Sequence, residues 1–281
     1  MLIFNNKTDL KAQLAKLRET NSGVGFVPTM GALHNGHLSL LKESVKHNSH
    51  TVISIFVNPT QFNNPEDLEK YPRTLETDVD KIKTVSEDII VFAPSVKEMY
   101  DDNITSTNFS FDGLENQMEG RFRPGHFDGV GTIVKKLFEI VEPDNAYFGE
   151  RDFQQLQIVK KMVEKNNMPV NVVGCPILRE ENGLAMSSRN QRLSEEDKTK
   201  AALIYKTLTE ARQLFESHSV EYVTEYVNNI FKAHPEFEME YFEVAEEDTL
   251  LPASIKENKK YRAFIAVFLS NIRLIDNISL N

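Results

Sequence analysis

The feature that most constrains this chain is an alternation, over its first 180 residues, of short β-rich apolar runs with stretches whose apolar residues recur at helical spacing. Val24–Thr29 reads as a strand, and Gly36–His47 as a helix with Leu38, Leu41 and Val45 on one face. Thr51–Val57 is a second, nearly continuous β-branched run, followed by a helical pattern over Thr74–Thr84 and a strand over Asp88–Phe92. Asp128–Ile140 is amphipathic through Val130, Ile133, Val134 and Leu137. Asn145–Phe148 is a short strand, Asp152–Lys165 a helix carrying Phe153, Leu156, Val159 and Val163, and Val170–Gly174 closes the series. Strands that are apolar nearly throughout must be covered on both faces, and helices between them supply the cover, so a parallel sheet is expected.

The fold class that follows is α/β, with a Rossmann-like doubly wound parallel sheet, and in such sheets ligands bind beyond the carboxyl ends of the strands. The functional loops should therefore follow Thr29, Val57 and Phe148. After Arg192 the texture changes: Ser194 with Asp197 resembles a capping box opening a helix through about Phe215, a second helix spans roughly Val220–Phe231, and three strands are expected around Glu238–Ala245, Arg262–Leu269 and Arg273–Ile278. Helices followed by strands predict a small α+β C-terminal domain, giving residues 1–178 and 179–281 as the two domains. There are no internal repeats or low-complexity tracts.

Bulk properties narrow the function. A net charge of −10 opposes broad contact with nucleic acid or an anionic membrane, but a few local cations can still hold one compact anion such as a triphosphate. No apolar run reaches the roughly 18 residues needed to cross a bilayer, and the start, apolar for four residues and then charged and helical, is unlike a signal peptide. The single cysteine, Cys175, excludes an intrachain disulfide and a cysteine-rich metal site, and the cytoplasm is the expected compartment.

The strongest local signal is Pro28-Thr29-Met30-Gly31-Ala32-Leu33-His34-Asn35-Gly36-His37, which leaves a strand and enters a helix. The spacing brings His34 and His37 together, one turn apart, at a helix N-terminus that favours anions, and Gly36 leaves room for a planar ring. A nucleotide site competes here with a metal site lacking an evident third ligand and with ordinary surface histidines. Gly183-Leu184-Ala185-Met186-Ser187-Ser188-Arg189-Asn190 offers hydroxyls and a guanidinium suited to phosphate, although taken alone it reads more simply as a polar loop with capping serines. An HxGH element with a later serine-rich basic loop is similar to class I nucleotidyltransferases and aminoacyl-tRNA synthetases. Val57-Asn58-Pro59-Thr60-Gln61-Phe62 should project Asn58 and Gln61 at the ligand edge of the sheet, though turn chemistry is the simpler reading of either alone. In Phe148-Gly149-Glu150-Arg151-Asp152-Phe153-Gln154-Gln155, Arg151 could face phosphate, Asp152 could cap the helix and Gln155 could point at substrate.

These motifs, with Tyr71-Pro72-Arg73-Thr74 and Arg123-Pro124-Gly125-His126-Phe127-Asp128-Gly129-Val130, resemble the pantothenate synthetase (pantoate–β-alanine ligase) family in their order and approximate spacing from about residue 26 to 190. The C-terminal part matches in length and in Arg273-Leu274-Ile275-Asp276-Asn277-Ile278.

The resemblance implies that Met30, Gly31, Ala32, Leu33, His34, Asn35, Gly36 and His37 line ATP, with His37 as proton donor toward the leaving phosphates. It implies that Gly149, Glu150, Arg151, Asp152, Met186, Ser187, Ser188 and Arg189 complete the ATP shell, with Leu178 near the adenine. Gln61 would contact pantoate and β-alanine, Gln155 pantoate, and Asn58 would assist. His34, His37, Arg151, Ser187, Ser188 and Arg189 would spread the charge that builds during formation of a pantoyl adenylate from MgATP, which β-alanine then attacks, releasing AMP. Arg123 could help or be structural, and His126 is not expected to be catalytic. ATP with Mg²⁺ enters as substrate, with metal ligands unassigned and no tightly bound organic cofactor; a homodimer, and a lid role for the second domain, are also implied. The family usually has lysine where this chain has Arg151, which exchanges a compact ammonium for a planar fork, and often a bulkier apolar residue at Thr60. An adenylyltransferase would leave Gln61 and Gln155 unexplained, a tRNA-binding synthetase is opposed by the acidic balance, and a nucleotide sensor without catalysis is opposed by the intact motif residues.

Overall fold

The computed structural model describes residues 1–19 and 22–281. Its elements run β1 (Ile3–Phe4), α1 (Lys7–Arg18), β2 (Val24–Thr29), α2 (Asn35–His47), β3 (His50–Ile55), α3 (Pro65–Glu69), α4 (Leu75–Lys83), β4 (Ile90–Phe92), α5 (Val96–Tyr100), α6 (Met118–Phe122), α7 (His126–Val141), β5 (Asn145–Gly149), α8 (Phe153–Lys165), β6 (Asn171–Cys175), α9 (Glu195–Ser217), α10 (Val220–Lys232), β7 (Phe237–Glu246), β8 (Tyr261–Leu269) and β9 (Ile272–Ser279). The chain divides into two units, one made of residues 1–115, 120–150 and 155–176, the other of residues 116–119, 151–154 and 177–281.

The first unit is built on a six-stranded sheet in the order β1-β4-β3-β2-β5-β6, with every pairing parallel. Val24, Phe26 and Val27 of β2 and Val52 and Ile53 of β3 are wholly buried, as continuous apolar strands between two helical layers must be. The chain runs from β2 through β3 to β4 on one side and returns to place β5 on the other side of β2, so the strand order reverses between β2 and β5. At that point β2 and β3 stay paired as far as Thr29↔Ile55, whereas β2 and β5 pair only at Gly25↔Asn145 and Phe26↔Ala146. Pro28 lies just beyond the last β2–β5 pair, and having no N–H it cannot extend that ladder. The two central strands part toward their carboxyl ends, which is where ligands enter sheets of this type.

The second unit carries an antiparallel sheet, β7-β8-β9, with α9 and α10. Ser194 caps α9 by accepting the Asp197 N–H at 3.1 Å, as its sequence implies, and Ser219 does the same for α10 through Tyr222 at 3.2 Å. Ala201, Ile204, Leu208 and Ala211 of α9 pack with Val223 and Val227 of α10 and Ile265 and Val267 of β8 in one core. In this unit the Arg273 guanidinium lies between two carboxylates, bonding Glu119 at 2.6 and 2.8 Å and Glu240 at 3.0 Å, while the Tyr241 hydroxyl donates to Glu119 at 2.8 Å. The Phe153 and Phe264 rings are tilted against each other with centroids 5.9 Å apart, and the Arg262 guanidinium lies 4.0 Å from the Phe153 ring centroid. Among the described residues, no helix is long and apolar enough to cross a membrane.

Candidate nucleotide and acyl-substrate site

The turn from β2 into α2 is held by one buried side chain. Gly31 (φ +81°) and Ala32 (φ +49°) both take left-handed backbone, which glycine adopts freely and alanine does not. The compensation is Asp78, fully buried in α4, whose carboxylate accepts the Ala32 N–H at 2.9 Å and the Leu33 N–H at 2.7 Å. Thr74 also donates to Asp78 at 3.2 Å, and Lys81, one turn on, donates to the Leu33 carbonyl at 2.6 Å. A carboxylate thus sits in the concavity of successive N–H groups that could otherwise bind an external anion. Ala32 and Leu33, expected to line a nucleotide, are spent differently: their N–H groups serve Asp78 and the Leu33 side chain lies in the core.

His34 is the N-cap of α2, and its Nδ1 accepts the Gly36 N–H at 3.1 Å. His37, at the third helical position, accepts the His34 N–H at Nδ1 at 3.3 Å, so the pair forms a reciprocal capping box. The rings come together as the spacing requires, with centroids 4.0 Å apart. Because both Nδ1 atoms accept backbone hydrogens, the ring proton of each belongs on Nε2. Two Nε2–H donors therefore stand at a helix N-terminus, where the field already favours negative charge.

After β3 the chain makes a short 3₁₀ turn, Pro59–Gln61. Asn58 does not project at the ligand edge as expected; it is 1% exposed, and every hydrogen-bonding position of its amide is used inside the protein. Its Nδ2 donates to Gln61 Oε1 and to the Gly129 carbonyl, both at 3.1 Å, and its Oδ1 accepts from the Tyr100 hydroxyl at 2.6 Å and from Thr60 at 3.2 Å. Burial raises the Tyr100 phenol above its ordinary pKa, so it remains a donor. Gln61 is half-buried, with Nε2 directed at Met30 Sδ, 3.1 Å away. The main-chain carbonyl of Gln61 meets His126 Nδ1 at 2.8 Å and the Arg123 guanidinium at 3.5 Å, which makes both of those residues supports of the turn. Gly129 lets α7 approach: a Cβ there would lie 2.3 Å from the Thr60 carbonyl oxygen and 2.7 Å from the Gln61 nitrogen. Gln155, third in α8, is half-buried.

In the second unit, Arg151 and Asp152 pair side by side, with contacts of 3.2 and 3.3 Å. Asp152 was expected to cap the next helix; the 3₁₀ turn Glu150–Asp152 instead runs directly into α8, and its carboxylate serves Arg151. Asn277 fixes the Arg151 carbonyl at 2.9 Å. Residues 178–186 form a tight hairpin, closed by the Arg179↔Ala185 bridge and the Met186 N–H to Leu178 carbonyl bond at 3.0 Å, with the Leu178 side chain 40% exposed. Arg179 is anchored to Asp276 at 2.6 and 3.0 Å and stacks 3.7 Å from the Tyr205 ring. Ser187 behaves as a capping serine, accepting the Arg189 N–H at 3.2 Å, while Asn190 ties the loop back to the Ala185 carbonyl at 3.0 Å. Ser188 and Arg189 stand in the 3₁₀ turn that follows.

Asp78, Lys81 and Tyr100 are the site residues that sequence reasoning missed. Only the Tyr71–Thr74 motif, just ahead of Asp78, pointed near them.

Comparison with known proteins matches the chain over its full length. A family profile described as Pantoate-beta-alanine ligase matches residues 2–279. The pantothenate synthetase of Flavobacterium psychrophilum is 62% identical over 281 residues, covering the whole of both chains. The crystal structure of pantothenate synthetase from Thermus thermophilus superposes with a TM-score of 0.92 at 41% identity, covering 100% of this chain and 99% of that one. Pantoate-beta-alanine ligase from Francisella tularensis, solved in complex with beta-gamma ATP and beta-alanine, gives a TM-score of 0.83 at 36% identity over 100% of this chain and 98% of that one. The chain belongs to the pantoate–β-alanine ligase family.

Proposed function

We propose that this protein condenses pantoate with β-alanine at the expense of ATP, through a pantoyl adenylate, releasing AMP and pyrophosphate. The observation that carries the reading is the histidine pair at the N-terminus of α2, each ring fixed by a backbone N–H at Nδ1 so that its ring hydrogen sits on Nε2. The pantoate carboxylate attacks the α-phosphorus of MgATP, and pyrophosphate leaves. Negative charge then builds on the phosphate oxygens, where His34 and His37 donate and the N-terminus of α2 adds its field. On the second unit, Arg151, Ser188 and Arg189 are the residues chemically suited to phosphate, with Ser187 shaping their loop and Leu178 and Met186 offering apolar surface to the adenine. Gln61 and Gln155 bind the acyl substrate, Gln61 through its amide hydrogens. The adenylate is a mixed anhydride, so the free amine of β-alanine attacks its carbonyl and AMP departs without a covalent enzyme intermediate.

The test is AMP release by purified protein with MgATP, pantoate and β-alanine, omitting each in turn. AMP and pantothenate formed only with all components present support the reading; ATP left untouched, or consumed without pantoate, overturns it. His37→Ala should slow adenylate formation by about two to four orders of magnitude. The same reading makes the enzyme a cytoplasmic homodimer; sedimentation at twice the 32.2 kDa chain mass is the result expected of the dimer, and sedimentation at the chain mass would overturn it.

A further inference from the structure

We propose that the Gly129 carbonyl on one side of Asn58 and the Tyr100 and Thr60 hydroxyls on the other act through Asn58 to fix the Gln61 amide so that it offers N–H, and not C=O, to an acceptor oxygen of the acyl substrate, which makes Tyr100 and Thr60 positioning residues. The inference rests on the substrate reading above only for the identity of that acceptor.

An amide can flip end for end, so its orientation has to be decided by a partner whose role is fixed. That partner is the Gly129 main-chain carbonyl, which can only accept; the Asn58 atom facing it at 3.1 Å must therefore be the nitrogen. The second hydrogen of the same nitrogen points at Gln61, 3.1 Å away, so the Gln61 atom on that side must be the oxygen. On the opposite side of Asn58, Oδ1 receives the Tyr100 hydroxyl at 2.6 Å. The Thr60 hydroxyl lies 3.2 Å from Oδ1 and 3.0 Å from the phenol oxygen, and donates to one or the other. A flipped Asn58 would set its nitrogen against those hydroxyls and its oxygen against the Gly129 carbonyl. With the polarity of Asn58 fixed, Nε2 of Gln61 faces the other way, toward Met30 Sδ at 3.1 Å. A thioether is a weak acceptor, so this amide keeps most of its donor capacity for a ligand. A carboxylate or hydroxyl oxygen fits it; an ammonium group does not. Thr60 belongs to the lock as a second hydroxyl beside the phenol on this side of Asn58.

The test joins a direct view of the amides to kinetics. Side-chain amide ¹⁵N–¹H spectra, with Gln61→Glu and Asn58→Asp as assignment controls, should show the Asn58 Nδ2 hydrogens protected from exchange and the Gln61 Nε2 hydrogens exchanging rapidly until pantoate is added. Tyr100→Phe should raise the pantoate KM by about fivefold, the scale of one neutral hydrogen bond, and Tyr100→Phe with Thr60→Val by more, both leaving the ATP KM within about twofold. Gln61→Glu keeps an oxygen toward Asn58 and replaces the outward donor, and should cost more than either. Protected Gln61 hydrogens beside rapidly exchanging Asn58 hydrogens would overturn the proposal whatever the substrate. Equal rises in the pantoate and ATP KM values on Tyr100→Phe would overturn it too, by making the phenol merely structural. The expected exchange pattern in a protein that ignores pantoate would uphold the lock and overturn the substrate reading instead.

Discussion

The carboxylate of Asp78 and the main-chain nitrogen of Leu33 meet at 2.7 Å, and through this bond helix α4 holds the turn that sets the histidine pair. Asp78→Asn keeps the shape but leaves only one oxygen for two backbone donors and sets an NH₂ against the other. Leaving a buried N–H without a partner should cost about 1–3 kcal/mol in stability by urea unfolding. The same loosening should lower kcat/KM for ATP about tenfold in pyrophosphate exchange, since the imidazoles lose their fixed placement. Stability lost with the exchange rate intact would separate Asp78 from the site.

Gly129 bears on the acyl side of the same unit. In Gly129→Ala the new methyl group would meet backbone atoms of Thr60 and Gln61 at 2.3 to 2.7 Å, and neither α7 nor the 3₁₀ turn yields as a flexible side chain would. A loss of about 1–3 kcal/mol is expected from overpacking. The pantoate KM should rise while ATP binding, measured separately by calorimetry, changes little. A variant as stable and as tight for pantoate as the parent would refute this account of the glycine.

Cys175 is buried, and burial, with Glu43 and Glu150 adding negative charge, pushes its thiol up to about 11. Only the thiolate is nucleophilic. At pH 8 the native protein should leave a thiol reagent such as dithionitrobenzoate unreacted, and one equivalent should react as urea unfolds the chain. Prompt labelling of the folded protein would contradict the burial.

Tyr241 should be visible in alkaline unfolding. Burial, then the Glu119 carboxylate, holds its phenol well above the ordinary range. A group whose folded pKa is raised contributes stability that is fully present below its unfolded pKa, about 10 for tyrosine, and is lost as the pH climbs toward the folded value. Wild-type stability should thus decline above about pH 10, and Tyr241→Phe should flatten that decline. At pH 7 the same variant should cost about 1 kcal/mol, because Glu119 loses a donor while keeping Arg273. Urea midpoints for both proteins at pH 7 and above pH 10 check both effects.

Much of the sheet was legible because its signal is local. The apolar run at Thr51–Val57 became β3, His50–Ile55, and the pattern at Asp128–Ile140 became α7, both shifted by a residue or two at the ends. The three late strands and the Ser194 cap also followed from short-range pattern. The histidine pair was equally readable, because three residues of spacing at a helix start determine where the rings meet. Asp78 was not, since nothing within its own helix distinguishes a buried carboxylate from an exposed one; only contact with a turn 45 residues earlier does. Asn58 was misjudged for the same reason. Its partners at Tyr100 and Gly129 come from two other helices, and the sequence around it shows only a turn.

Pro28 sets a limit on improving this protein. A residue there with an N–H could zip β5 onto β2 past Phe26↔Ala146, and such a bond would be worth about 1 kcal/mol. The gain would come from drawing together two strand ends that part at the carboxyl edge of the sheet, where ligands enter sheets of this type. Selection for thermal tolerance alone would favour that closure, and selection for turnover would oppose it. In a library screened only for heat resistance, substitutions at this position should therefore be enriched among survivors that have lost activity.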